Sequence, residues 1–178
     1  MAKPSKTKSM FTEGNVPPGG TCLSSFVVVT NGHSILVGRI ARPEIWIERF
    51  LVGPKFAPKY ANSGKYILPA RHIHWYEDPL DAAYSVLRDQ VQLDVPKGEV
   101  SILDVQSHVS GDVNSDAEPP HWDICFVYKA QISKKQAAKL ARPEWFSELA
   151  FKPLSSLRPD DFTRGHGDVL EVAGMVRR

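Results

Sequence analysis

The sequence has few cysteines, no long apolar run and little net charge, and each scarcity removes a class of explanation. Only Cys22 and Cys125 occur in 178 residues, neither in a CxxC pair. That excludes a disulfide framework and lacks the spacing of a cysteine-rich zinc module. No unbroken apolar stretch is long enough to cross a bilayer, and the basic opening from Met1 to Met10 is not followed by an apolar signal region. The expectation is a cytoplasmic protein with no membrane partner. Twenty-two Lys and Arg against 20 Asp and Glu leave a net charge of +2, too little to imply nucleic acid without a concentrated basic face. Internal repeats are also lacking.

What is present is the composition of an ordinary globular chain, 42% hydrophobic and 24% charged, long enough for one well-buried core. Residues 1–20 stand apart. Lys3, Lys6 and Lys8 precede Pro17-Pro18-Gly19-Gly20, a composition that buries too little apolar surface to order itself. This segment is expected to be flexible, with a basic arm touching nucleic acid as the functional alternative, and residues 21–178 form the folded domain.

Two β-rich runs, Ser25 to Thr30 and His33 to Arg39, flank Asn31-Gly32 and predict a hairpin. Glu44 to Val52 alternates as a further strand, Pro54 to Gly64 reads as loop, and Lys65 to Pro69 as a short strand. After Asp78-Pro79, a cap and a first-turn proline, a helix is predicted to Gln92 with Leu80, Ala83, Leu87 and Val91 on one stripe. Strands are expected at Val100 to Val109 and His121 to Ile132, separated by a loop from Ser110 to Pro120. A helix from Lys134 to Leu140, a strand near Leu149 to Lys152 and a final helix after Gly165-His166-Gly167 complete the order. Such mixing argues a sheet covered by helices.

The segment Gly64 to Leu93 resembles the Nudix box, Gx5Ex7REUxEExGU with U an aliphatic residue. Leu68-Pro69-Ala70-Arg71 stands where the family has Leu-Pro-Gly-Gly, Glu77 sits on the first glutamate, and Leu87 and Leu93 fill the aliphatic positions. The resemblance implies an α/β fold, an α/β/α sandwich around a mixed β-sheet. It also implies a helix whose glutamates hold Mg2+ or Mn2+ against a substrate diphosphate.

The box is degenerate. Ser85 replaces the arginine, Val86 the next glutamate, Asp89-Gln90 the later glutamate pair, and Arg71 and Gln92 the glycines. Helical geometry sets Val86, Asp89 and Gln90 on one face, where one carboxylate remains of three. Val86 there points to an apolar cover. Glu77 and Asp89 are the candidate catalytic residues, and with Gln90 the candidate ligands of a weakly held metal. Each has a structural reading too: Glu77 at the helix N-terminus, Asp89 paired with Arg88 or Arg49.

Arg71 could grip phosphate by charge in place of magnesium. With His74, Trp75 and Tyr76 it makes the candidate ligand surface, since aromatics beside a phosphate site can stack a base. His72 and His74 as zinc ligands lack a cysteine partner in sequence. A Cys125 nucleophile served by His121 and Asp123 fails because His121 and Cys125 lie about 13 Å apart along one strand. The resulting expectation is a domain that binds a nucleotide-type small molecule with weak or no pyrophosphohydrolase activity. The alternatives are a non-catalytic scaffold for RNA or a protein partner, and an atypical but active hydrolase of nucleoside diphosphates linked to another moiety. The oligomeric state stays open, a dimer being compatible.

Overall fold

A computed structural model describes residues 20–50, 52–110, 121–163 and 165–177. The expected flexible segment 1–20 and the loop from Ser110 to Pro120 lie outside these residues, apart from Gly20 and Ser110 at their ends. Strands β1 (Thr21–Asn31) and β2 (Ser34–Ile40) form the expected hairpin. Asn31 pairs with Ser34, so the two-residue turn is Gly32-His33, one position later than the Asn-Gly reading. Gly32 takes φ of +60° there, a conformation glycine adopts without steric cost.

The run from Glu44 to Val52, expected as a strand, instead lies largely in helix α1 (Pro43–Phe50). Pro43 suits a first helical turn, Trp46 and Phe50 are buried one turn apart with rings 5.0 Å from each other, and Glu48 and Arg49 face outward. Trp46 donates through Nε1 to the Trp145 carbonyl at 2.8 Å, which satisfies its one polar atom in the core. The supposed loop at 54–64 likewise contains helix α2 (Phe56–Ser63), ended by Gly64 in the left-handed region and buried at Ala57. Residues 65–69 make only isolated bridges, Ile67 to Gly38 and Tyr66 to Phe162, and β3 (Ala70–His72) follows.

Helix α3 (Pro79–Ser85) begins as expected, with Asp78 accepting from the Leu80 N–H at 2.8 Å. From Val86 to Val91 it widens into π-helical bonding, and it ends at Gln92 in the left-handed region. Strands β4 (Val100–Ser110) and β5 (His121–Gln131), helix α4 (Lys134–Ala137), strand β6 (Phe146–Pro153) and helix α5 (His166–Val172) complete the fold.

The sheet runs β4-β5-β1-β2-β6, with β3 also on β1. β1 and β5 are parallel and the other strand pairs antiparallel, so the sheet is mixed. β1 is buried on both faces from Ser24 to Thr30 because helices cover each side. On one face Val27, Val29 and Tyr128 pack against Ala83, Val86, Leu87 and Val91 of the α3 segment. On the other, Phe26, Val28, Cys125 and Val127 pack against Val169 and Leu170 of α5. Trp46, Phe50, Ala57, Trp145 and Phe146 form a third cluster under α1 and α2. Among the described residues no helix is long and apolar enough to cross a membrane.

Candidate functional site

The three residues of β3 alternate across the sheet. Ala70 joins the α5-side core, so Arg71, next in the strand, turns to the α3 side. Its Nη2 makes an ion pair with Glu77 Oε1, and its Nη1 donates to the His72 carbonyl at 3.0 Å. Glu77 Oε2 accepts the His74 backbone N–H at 2.9 Å. Burial raises the Glu77 carboxyl, but the His74 N–H and the Arg71 guanidinium outweigh it and hold the group below the usual carboxylate range. The pair is largely enclosed, with 12% and 18% of the two side chains exposed. Arg71 Nε is buried and has no hydrogen-bond partner among the described residues.

A cavity of about 340 Å³ opens beside this pair, lined also by Arg49 and Phe50 of α1, by His74, and by Ser85, Asp89 and Gln90 of the α3 segment. Asp89 is held by Arg88, which forks onto its two oxygens at 2.9 Å each. Gln90 is 1% exposed. Its Nε2 donates to the Ala70 carbonyl at 2.8 Å and its Oε1 accepts the Ala70 N–H at 3.3 Å, so the amide sews the helix to β3 at both ends. Val86 does not share this face. It is fully buried in the α3-side core, which agrees with the expected apolar cover over Val86 but takes it off the face that Asp89 and Gln90 present to the cavity. The π-helical widening lies between Val86 and Val91 and breaks the simple 3.6-residue spacing that sets the three residues on one face.

Trp75 and Tyr76 are 86% and 96% exposed, edge to face at 5.4 Å. They stand outside the cavity, so any contact with a ligand there would come from its outer part. The alternating pattern of Glu44 to Val52 conceals Phe50 as a lining residue, whereas Arg49, a candidate partner of Asp89 in the sequence, does share the cavity with it. Pro43 followed by Trp46 and Phe50 at i and i+4 was the available signal.

Two arginines and two carboxylates line this cavity, with Arg88 adding a third positive charge at Asp89. Two divalent ions beside a diphosphate demand surplus carboxylate oxygen. Here one carboxylate is held by Arg71, the other by Arg88, and the Gln90 amide is committed to Ala70. The donor set therefore does not fit a pair of divalent ions. Arg49, Arg71 and Arg88 against Glu77 and Asp89 leave the surroundings of the cavity net positive, which fits an anion.

No family model matches the chain, and no curated protein matches it in sequence. Solved structures do match in fold. A MutT NUDIX hydrolase from Burkholderia pseudomallei is 16% identical, with a TM-score of 0.56, over 85% of this chain and 96% of that one. The NUDIX domain of Shewanella oneidensis NrtR, crystallised with ADP ribose, is 16% identical, with a TM-score of 0.55, over 92% and 97%. A MutT protein from Methanosarcina mazei Go1 is 13% identical, with a TM-score of 0.56, over 86% and 93%. The topology, the position of the box segment across β3 and α3 and these likenesses together establish that this chain has the Nudix fold.

Proposed function

We propose that the cavity binds a nucleoside-diphosphate-type ligand through Arg71, with little or no hydrolysis. The observation that carries this reading is the Arg71 guanidinium on the wall of an open cavity, fixed in place by Glu77 and the His72 carbonyl. Glu77 and the His72 carbonyl engage one N–H each on Nη2 and Nη1, so an aligned guanidinium keeps a second N–H on each of these nitrogens to donate to a phosphate oxygen at little further ordering cost. Arg49 adds positive charge to the lining, and Trp75 and Tyr76 offer rings to a base or sugar outside the cavity. The Shewanella NUDIX domain holds ADP ribose on the same fold, which supports a ligand of that class here.

Glu77 and Asp89 are the carboxylates left for proton or metal chemistry, and each is engaged by an arginine. Hydrolysis is accordingly weak, the metal dispensable for binding, and the setting cytoplasmic. Incubation with ADP-ribose and diadenosine polyphosphates in Mg2+ should release no mononucleotide at enzymatic rates. Turnover of roughly 1 per second or more that disappears in Asp89→Ala would replace this reading with an atypical hydrolase. Failure to bind any nucleotide would leave the scaffold for RNA or protein.

A further inference from the structure

The opposite face of the sheet carries a cluster that the cavity does not use. Cys22, near the start of β1, lies beside Asp123 of the parallel strand β5, and His121 precedes Asp123 by two residues on the same face. His72, ending β3, flanks β1 on its other side, paired with Ser24. These residues alternate in register with Phe26, Val28, Cys125 and Val127 of the α5-side core, so they face away from Arg71. Cys22 Sγ lies 2.5 Å from Asp123 Oδ1 and 2.9 Å from His121 Nε2. His121 Nε2 is 3.3 Å from Asp123 Oδ1. A second imidazole, His72 Nε2, stands 4.0 Å from the same sulfur.

The arrangement separates two chemistries. In a cysteine nucleophile assisted by histidine and an acid, thiol and carboxylate occupy different nitrogens of the imidazole, so that one orients the ring while the other surrenders its proton. Here sulfur and carboxylate oxygen both approach His121 Nε2, and the three atoms close a triangle within 4.8 Å. They converge on one point, as ligands do on a cation.

We propose that Cys22, His121 and Asp123, closed by His72, form a zinc site that ties β1, β3 and β5 together. Bonds of about 2.0–2.3 Å in a tetrahedron separate neighbouring ligand atoms by roughly 3.3–3.6 Å. The observed separations bracket that range, and reaching it requires the sulfur and carboxylate to part by about 1 Å, within reach of side-chain rotation. A sulfur, two imidazoles and one carboxylate select zinc or its cobalt analogue over magnesium or calcium, which take oxygen. On binding, sulfur bonds to the metal and its proton leaves to solvent. With four protein ligands the site is closed, and its role is structural. It is separate from the cavity, so neither reading depends on the other.

Full-length protein, stripped by chelator and titrated with Co2+, should take up one equivalent. It should develop the near-ultraviolet thiolate-to-cobalt band and the visible bands of tetrahedral Co2+, and one equivalent of Zn2+ should abolish both. Cys22→Ser should remove the thiolate band. His121→Ala should weaken Co2+ by more than about a hundredfold, since loss of an outer-shell partner alone costs 10–100-fold. Cys125→Ser should leave the titration unchanged. Zn2+ should raise the melting temperature of the parent and not of Asp123→Asn, a near-isosteric change that keeps the strand pairing. The proposal is overturned by a parent without a thiolate band at micromolar Co2+, or by a band that survives Cys22→Ser. An unchanged affinity in His72→Ala would overturn the closed, four-ligand form.

Discussion

Exchanging Gln90 for glutamate changes one atom of a side chain that is 1% exposed and asks what that side chain is for. Family spacing places a metal ligand there, whereas the structure places an amide that both donates to and accepts from Ala70. An ionised glutamate cannot donate. It would set a carboxylate oxygen against the Ala70 carbonyl now 2.8 Å from the amide nitrogen, leaving a buried acceptor unsatisfied at a cost of roughly 1–3 kcal/mol. Burial of the charge acts in the same direction, and both effects appear as a raised pKa of the new carboxyl: a total loss near 3 kcal/mol at neutral pH corresponds to a rise of about 2 units. In a chain of this size that is a fall of about 6–12 °C in melting temperature. The protonated acid can donate and accept as the amide does, so its folded-state pKa lies above its unfolded value near 4.3. Stability of Gln90→Glu should match the parent at about pH 4 and diverge as pH rises through the raised pKa. Thermal melts at pH 4.5, 6 and 7.5 read this directly. A variant melting within about 1 °C of the parent at pH 7.5 without metal, or fully restored there by Mn2+, would refute the structural role.

Three further outcomes follow from separate features. His166 Nδ1 accepts the Leu68 N–H at 3.0 Å, and burial lowers the imidazole to about 4. The unfolded state then binds the extra proton first, so stability should fall by at most about 3 kcal/mol between pH 6.5 and 4, and His166→Asn should flatten that slope in denaturant titrations. Gln92 occupies φ of +57°. Gln92→Gly should therefore gain about 0.5–1 kcal/mol in urea unfolding, left-handed strain relieved outweighing the added chain entropy. The exposed Trp75 and Tyr76 should tolerate alanine within about 0.5 kcal/mol in thermal melts while nucleotide affinity drops in calorimetry; a large fall in melting temperature with normal binding would make them structural.

The parts of the fold set by local pattern were legible in the sequence, and those set by topology were not. The β1–β2 hairpin, the Asp78 cap and the strands β4 and β5 follow from alternation and capping chemistry. Helix α1 was not recognised because Ile45, Trp46 and Ile47 carry β-forming side chains, and packing of Trp46 and Phe50 against Trp145 overrides that propensity. The π-helical turn hid the true direction of Val86, since periodicity assumes uniform spacing. In the site, Arg71 and Glu77 were identified from the box, but their mutual pairing depends on the turn through His74. The Cys22 cluster was invisible for another reason. Within their own strand His121 and Asp123 have only Cys125 as a sulfur neighbour, whereas their partner Cys22 lies 99 residues from His121, brought alongside by the parallel pairing of β1 and β5.

The central claim is anion recognition by Arg71 without dependence on divalent metal. Calorimetric titration of chelator-treated protein with ADP-ribose, in the parent and in Arg71→Ala shown to be folded by circular dichroism, tests it most directly. The parent should bind without added metal, with an affinity changed little by Mg2+. Loss of a charge-assisted hydrogen bond worth about 1.5–3 kcal/mol should weaken Arg71→Ala by roughly 10–100-fold. Binding that appears only when Mg2+ is added, or that is unchanged in Arg71→Ala, would contradict it.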